Sequence, residues 1–135
     1  MAKVVKKKKS PRVVRTRNSA TMTESEYFGR IRSALRNSFK YWKPMQEALH
    51  KASRPSQSLN KRLKKEYQCA KCKKWFKRQA VEIDHIQECG SLKSYEDIVP
   101  FLMNLTKEDV NAFQILCKPC HKEKTKKYIA DKNGK

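Results

Sequence analysis

Acidic residues are scarce in this chain: 13 Asp and Glu stand against 33 Lys and Arg, a net charge of +20 over 135 residues. That shortage points to a polyanion partner, DNA or RNA ahead of an anionic membrane. Long apolar runs are missing as well. No stretch approaches the roughly 18–20 residues needed to span a bilayer, so no membrane segment is expected. The basic N-terminus has no apolar segment behind it, so no secretory signal is expected. Apolar residues make up 38% of the chain and charged residues 34%, too little apolar material for a large core. A metal staple would help such a chain to fold. No internal repeat is present.

The length suits one compact domain with tails. Residues 1–20 hold eight basic residues and no acidic one, densest at Lys6-Lys7-Lys8-Lys9. Such a segment cannot bury enough surface to order itself, so residues 1–22 are expected to be a basic disordered tail that adds to nucleic-acid affinity. A helical extension is expected over 23–57, and the main domain over 58–135. Thr23-Glu24-Ser25-Glu26 fits a capping box. Tyr27, Phe28, Ile31, Leu35 and Phe39 then recur at helical spacing, which predicts a helix over about 24–41 with Arg30, Arg32, Arg36 and Lys40 on its polar face. Pro44 suits the first turn of a second helix over about 44–53, which carries Met45, Ala48 and Leu49 and breaks at Arg54-Pro55-Ser56. Ser58 to Glu66 reads as a linker or short basic helix. Lys74–Lys77 and Ala80–Ile83 read as two short strands joined by a turn at Arg78-Gln79. Residues 87–94 form a loop turning at Gly90-Ser91. Tyr95–Leu105 has mixed helical patterning, interrupted by Pro100. Lys118 to about Ile129 reads as a basic terminal helix, with Asp131–Lys135 frayed.

Four of the five cysteines fall into two equal pairs, Cys69-x-x-Cys72 and Cys117-x-x-Cys120. A C-x-x-C turn supplies two thiolates to one tetrahedral ion, and two such turns complete a structural zinc site. The 44 residues between Cys72 and Cys117 make this ion the closure of a long loop. Paired C-x-x-C units read as thiolate ligands in a reducing, cytoplasmic compartment and not as disulfides. Cys89 has no partner at ligand spacing and reads as a small buried residue.

Between the pairs stands Asp84-His85, and His121 directly follows Cys120. A carboxylate suits Mg²⁺ or Mn²⁺, and imidazole widens the choice to transition metals. A histidine with an ordinary pKa near 6.5 is a good general base around neutral pH. Adjacent strand residues face opposite sides. At a strand end both can still border one cleft. His50 reads as a helix-surface residue.

The segments Val81-Glu82-Ile83-Asp84-His85-Ile86 and Leu116-Cys117-Lys118-Pro119-Cys120-His121-Lys122-Glu123-Lys124-Thr125 together resemble the HNH endonuclease family. The likeness is greatest to small bacteriophage enzymes with a four-cysteine zinc site, and it covers about 67–126. Gly90-Ser91-Leu92 adds to it, and the segment from Ala34 to Leu49 does so more weakly. The resemblance implies an α+β fold with a ββα-metal (His-Me finger) core: a hairpin, a helix and one catalytic cation between them. It implies Asp84 and His121 as ligands of a catalytic Mg²⁺ or Mn²⁺ and His85 as general base. Asn111 would orient the His85 ring, although the family places Asn where this chain has Ala112. Where some members have a further histidine this chain has Thr125, so water and phosphate oxygens would complete the metal shell.

The expected activity is therefore hydrolysis of DNA phosphodiester bonds, by nicking or double-strand cleavage, leaving a 5′-phosphate and a 3′-hydroxyl. Lys118, Lys122, Lys124, Lys126 and Lys127 would clamp phosphates, and Arg32 and Arg36 would add a backbone contact. The expected partner is double-stranded DNA, bound by a monomer or weak dimer in the bacterial host cytoplasm of a phage or mobile element. Packaging or replication proteins of a phage are further possible partners. The rival reading is a non-catalytic zinc-stapled nucleic-acid-binding protein, which explains charge and cysteines but leaves Asp84, His85 and His121 without a role.

Overall fold

The computed structural model describes residues 12–134, a mixed α+β chain whose helices clasp two small antiparallel sheets. The first helix, α1 (Glu24–Ser38), begins where expected. The Thr23 hydroxyl accepts the Glu26 backbone N–H at 3.0 Å, and Glu24 and Glu26 sit at the positive end of the helix dipole. One face of α1 buries Phe28 against Cys89, Leu92, Phe101 and Leu105, with Tyr27, Ile31, Leu35 and Phe39 alongside. The second helix, α2 (Lys43–Lys51), has Pro44 in its first turn, where a missing N–H removes no helical bond. It lays Met45 and Ala48 on Phe113 and Leu49 on Val81 and Ile115.

The expected hairpin at Arg78-Gln79 does not form. Strand β1 (Ser53–Pro55) pairs with β2 (Lys65–Gln68), and β2 pairs with β3 (Trp75–Phe76). Arg78–Ala80 makes a short 3-10 turn into β4 (Val81–His85). Strand β4 then pairs with β5 (Phe113–Cys117), in register from Val81 opposite Cys117 to His85 opposite Phe113. The reason is local. A two-residue hairpin needs positive φ at its tip, and Arg78-Gln79 offers neither Gly nor Asn. Strands β4 and β5 instead share the buried Val81, Ile115, Leu116 and Cys117. The aromatic pair Tyr67 and Phe76 fixes β3 beside β2.

A short turn at Tyr95–Asp97 precedes α3 (Ile98–Leu105). Asp97 caps that turn, accepting the backbone N–H groups of Lys93 and Ser94 at 3.0 and 3.2 Å. Pro100 is the third residue of α3, a position that tolerates the lost donor, so proline starts this helix where an interruption was expected. Gly90 turns the preceding loop with φ of +91°. The last helix, α4 (Lys118–Asn133), follows β5 without a loop and runs past Ile129, so Asp131–Asn133 are helical and not frayed.

Two boundaries move. The division at residues 57 and 58 falls inside the β1–β2 connection, and α2 shares its apolar contacts with β4 and β5, so 23–57 is not a separate extension. The end of the disordered tail at residue 22 also fails for its last part. Arg17 pairs with Met22 across a turn whose Asn18, Ser19 and Ala20 all have positive φ. The Arg17 guanidinium binds Glu24 at 2.8 Å and stacks over the Tyr27 ring at 4.5 Å. Cation–π anchoring of this kind is invisible to a count of charge. The Lys6–Lys9 run lies outside the described residues. No described helix is long and apolar enough to cross a membrane.

The cap of α1 is open to a direct check. Thr23→Ala should lower the stability of the fold by about 1 kcal/mol, read from urea midpoints. An unchanged midpoint would show that α1 is held by its apolar face alone.

Candidate functional site

The four paired cysteines meet. All four sulfurs lie within 4.8 Å of one another, and Cys72 Sγ is 3.9 Å from Cys117 Sγ. Four thiolates at about 2.3 Å from one zinc ion would stand about 3.8 Å apart, so the quartet is placed to hold a metal such as zinc. Each pair is shaped by its backbone. After Cys72 the chain turns through Lys73 at φ of +62°, closed by the Lys73 N–H on the Cys69 carbonyl and the Cys69 N–H on the Lys74 carbonyl, both 3.0 Å. Cys117 caps α4 and Cys120 lies in its first turn, where the helix dipole favours negative sulfur. Burial opposes ionisation of Cys69, but backbone N–H groups of Cys117, Cys72 and Lys71 win and bring its thiol down to about 6. The shared hydrogen bond with Cys117, then burial and the neighbouring Cys69, push Cys120 up to about 12. A cation bound by the quartet would draw off the thiol protons. Cys89 is buried against Phe28 and Phe101, away from the quartet, as expected.

The second cluster is built by β4 and the start of α4. Glu82 and Asp84 stand two residues apart on one face of β4, and His121 comes down between them. His121 Nδ1 is 2.7 Å from Glu82 Oε2, and His121 Nε2 is 3.4 Å from Asp84 Oδ1. Two donors about 2.1 Å from one divalent ion stand about 3.0–3.4 Å apart, so this pair also fits a cation. Among the described residues only the cysteine quartet gathers three or more ligand groups at that range, and Asp84 with His121 is a pair. Asp84 is 3% exposed. Its other oxygen accepts Gln114 Nε2 at 2.8 Å and Lys124 Nζ at 2.6 Å.

His85, at the end of β4, borders the same cleft of about 320 Å³ with Asp84, His121, Arg36, Glu88 and Thr125. Its Nε2 lies 3.2 Å from the Leu105 carbonyl, and the ring meets the Phe113 edge at 5.0 Å between centroids. A carbonyl only accepts, so Nε2 carries the hydrogen and Nδ1 keeps its lone pair. Burial first, and the charge of Arg36 in the same sense, lower the His85 pKa below its ordinary 6.5, against the Leu105 carbonyl and the nearby Asp84 and Glu88.

Two expectations change here. Asn111 is not beside His85. Asp109 caps its backbone N–H at 2.9 Å, and the exposed side chain lines a separate hollow with Ala48, Lys51 and Gln68. The main-chain carbonyl of Leu105 takes the ring-holding position instead. Lys124 is not a free phosphate clamp. It lies three residues after His121 on the inward face of α4 and donates to Asp84, to the His85 carbonyl at 2.7 Å and to the Ile86 carbonyl at 3.2 Å. Lys118, Lys122 and Lys126 are exposed on α4, and Arg32 is exposed one turn before Arg36 on α1. Thr125 lines the cleft, its hydroxyl donating to the His121 carbonyl at 3.0 Å. His50 lies near the end of α2, exposed and away from this cleft.

Three contributors went unread in the sequence. Glu82 was signalled by its i−2 position to Asp84 on a strand. Gln114 sits directly opposite Asp84 in the β4–β5 register, which only the pairing reveals. The Leu105 carbonyl has no signal in side-chain identity. Comparison with protein-family models, with curated proteins and with solved structures returned no match.

Metal binding by the quartet can be counted. The purified chain should carry one zinc ion, and Cys69→Ser or Cys120→Ser should lose it together with the cooperative melt. Normal zinc content and melting in both variants would remove the quartet as a staple. Acidification should release the metal, because protons compete for the thiolates as pH falls.

Proposed function

We propose that the chain is a metal-dependent endonuclease of the HNH type that hydrolyses DNA phosphodiester bonds. The observation that carries this reading is the meeting of Asp84 Oδ1 and His121 Nε2 at 3.4 Å in a cleft that His85 also borders. The units that build it run β4, β5, α4, an antiparallel pair followed directly by a helix. That order supports a ββα core whose two strands are separated by the loop carrying α3.

In this mechanism Asp84 and His121 would hold Mg²⁺ or Mn²⁺. When bound, the ion supplies charge stabilisation to the scissile phosphate and the leaving 3′-oxygen. His85 takes the proton of the attacking water at Nδ1, its Nε2–H being held by the Leu105 carbonyl. The lowered pKa keeps the ring neutral and able to accept that proton near neutral pH. Glu82 accepts the Nδ1–H of His121, which fixes the tautomer that leaves Nε2 free for a metal. Lys124 and Gln114 hold Asp84 in place and satisfy the oxygen turned away from His121. Arg36 adds a positive charge at the cleft wall for a backbone phosphate. The cysteine quartet sets the start of α4, and so the position of His121. A zinc-stapled binding protein would need the quartet and the surface charge alone. It gives no account of why Glu82 and Asp84 both turn to His121.

The test is nicking of supercoiled plasmid by the zinc-loaded chain with and without Mg²⁺ or Mn²⁺. His85→Ala should abolish nicking while leaving zinc content and melting intact, and retained nicking would sink the assignment of the base. Glu82→Gln has a different expected signature. It should raise the Mg²⁺ concentration needed for half-maximal activity about 10–100-fold, with the rate recovering at saturation. A loss of rate that metal does not restore would show that Glu82 acts otherwise.

A further inference from the structure

We propose that the β1–β2 hairpin is a second DNA contact, a wedge that presses one leucine into a duplex groove and seats the hairpin base on the backbone. It rests on the proposed function only for its substrate, double-stranded DNA. The connection from Ser56 to Lys64 puts Leu59 at its tip, and Leu59 is fully exposed at 101%. The tip is built, not loose. The Ser58 N–H bonds Ser56 Oγ, the Asn60 N–H bonds Ser58 Oγ and the Arg62 N–H bonds Asn60 Oδ1, each at 3.1 Å.

From Ala48 to Lys65 the chain has no acidic residue, while Lys51, Arg54, Lys61, Arg62, Lys64 and Lys65 are basic. Lys61, Arg62, Lys64 and Lys65 are exposed, and none pairs with a carboxylate among the described residues. At the base of the hairpin, His50, Ser53, Arg54, Pro55, Lys64 and Lys65 line a hollow of about 310 Å³. Arg54 is held there, stacked on the Trp75 ring at 3.7 Å and paired with Glu66 at 2.6 Å. The sheet under the hairpin is anchored by its other face, where Tyr67 and Phe76 pack on Leu49, Val81 and Ile115.

An exposed apolar tip followed along one arm by four exposed cations is the chemistry of a groove-inserting wedge. Leucine is one of the side chains that partly unstack a base step, and the cations of the following arm would meet the phosphates beside it. A second copy of this chain is disfavoured as occupant by its own charge of +20. One leucine offers far less apolar surface than a single acyl chain, which itself anchors only marginally to a bilayer.

The test uses the zinc-loaded full chain in a His85→Ala background, without added Mg²⁺, so that cleavage does not intervene. The probe is a mixed-sequence duplex with 2-aminopurine at internal steps. Binding should raise the 2-aminopurine emission. Leu59→Ala should remove most of that rise and weaken binding about threefold, because the phosphate contacts remain. Lys61→Gln with Arg62→Gln should weaken binding about tenfold at moderate salt and flatten the log K against log salt slope by about two. Unchanged emission and affinity in Leu59→Ala, or an unchanged salt slope in the double variant, would overturn the wedge. So would Leu59-dependent binding to phosphatidylserine vesicles with duplex binding indifferent to Leu59. Since no step here reads cleavage, a failed wedge leaves the nuclease reading standing, and a wild-type chain that does not cut leaves the wedge standing.

Discussion

The four thiols bring the turn between β2 and β3, with Cys69 and Cys72, against the junction of β5 and α4, with Cys117 and Cys120. A metal held there would tie together elements that share little apolar surface. The buried residues fall into four small clusters, none with more than five fully buried members. The cluster around Cys69, Leu116 and Cys117 is partly made of the ligands themselves. A metal there would join the β3 side of the molecule to the start of α4 across 44 residues of sequence. Such a join would also fix His121 in the acid–histidine cleft, because His121 is the next residue after Cys120. A shift of α4 by one turn would carry His121 away from both Glu82 and Asp84.

The cleft shows how a strand and a helix divide the work of placing ligands. On β4 the period of two brings Glu82 and Asp84 to the same face, while the strand end lets His85 reach the cleft from the other side. On α4 the spacing of three brings His121 and Lys124 to one face, so the imidazole and the ammonium meet the two oxygens of Asp84 separately. Burying a carboxylate is costly unless it is paired and hydrogen-bonded. Asp84 meets that condition through Lys124, Gln114 and His121, and one of its oxygens stays directed at His121 alone.

Local features were legible in the sequence and distant pairings were not. Thr23, Pro44 and Gly90 each act within a few residues, so the helix starts and the loop turn could be read from them. The equal C-x-x-C spacing and the adjacency of Cys120 and His121 placed the quartet and one candidate ligand. The partner of β4 could not be read, because Trp75-Phe76 and Phe113–Cys117 are both short apolar strands and choosing between them takes the whole β4–β5 register. The same blindness explains Lys124, which looked like one of five equivalent surface lysines. Only the packing of α4 on β4 separates it from Lys122 and Lys126. Asn111 failed for a smaller reason: a turn capped by Asp109 directs the backbone there, and a carbonyl from α3 reaches His85 first.

The charge distribution links the cleft to the rest of the surface. A chain with 33 basic side chains and a net charge of +20 carries a positive mean field, which favours polyanions and disfavours free cations. Three of its 13 carboxylates, Glu82, Asp84 and Glu88, lie within seven residues of one another around β4. They gather negative charge at one place in a chain whose net charge is positive. A duplex held on the basic surface would therefore approach a spot able to retain a divalent cation, and the ion would in turn neutralise the repulsion between phosphate and carboxylate. Lys124 offsets that charge at the Asp84 oxygen turned away from His121, and Arg36 adds a positive charge to the same cleft. Ten of the 13 carboxylates lie elsewhere in the chain, so what sets this cleft apart is the grouping of Glu82 and Asp84 on one imidazole and not a lack of acidic residues around it.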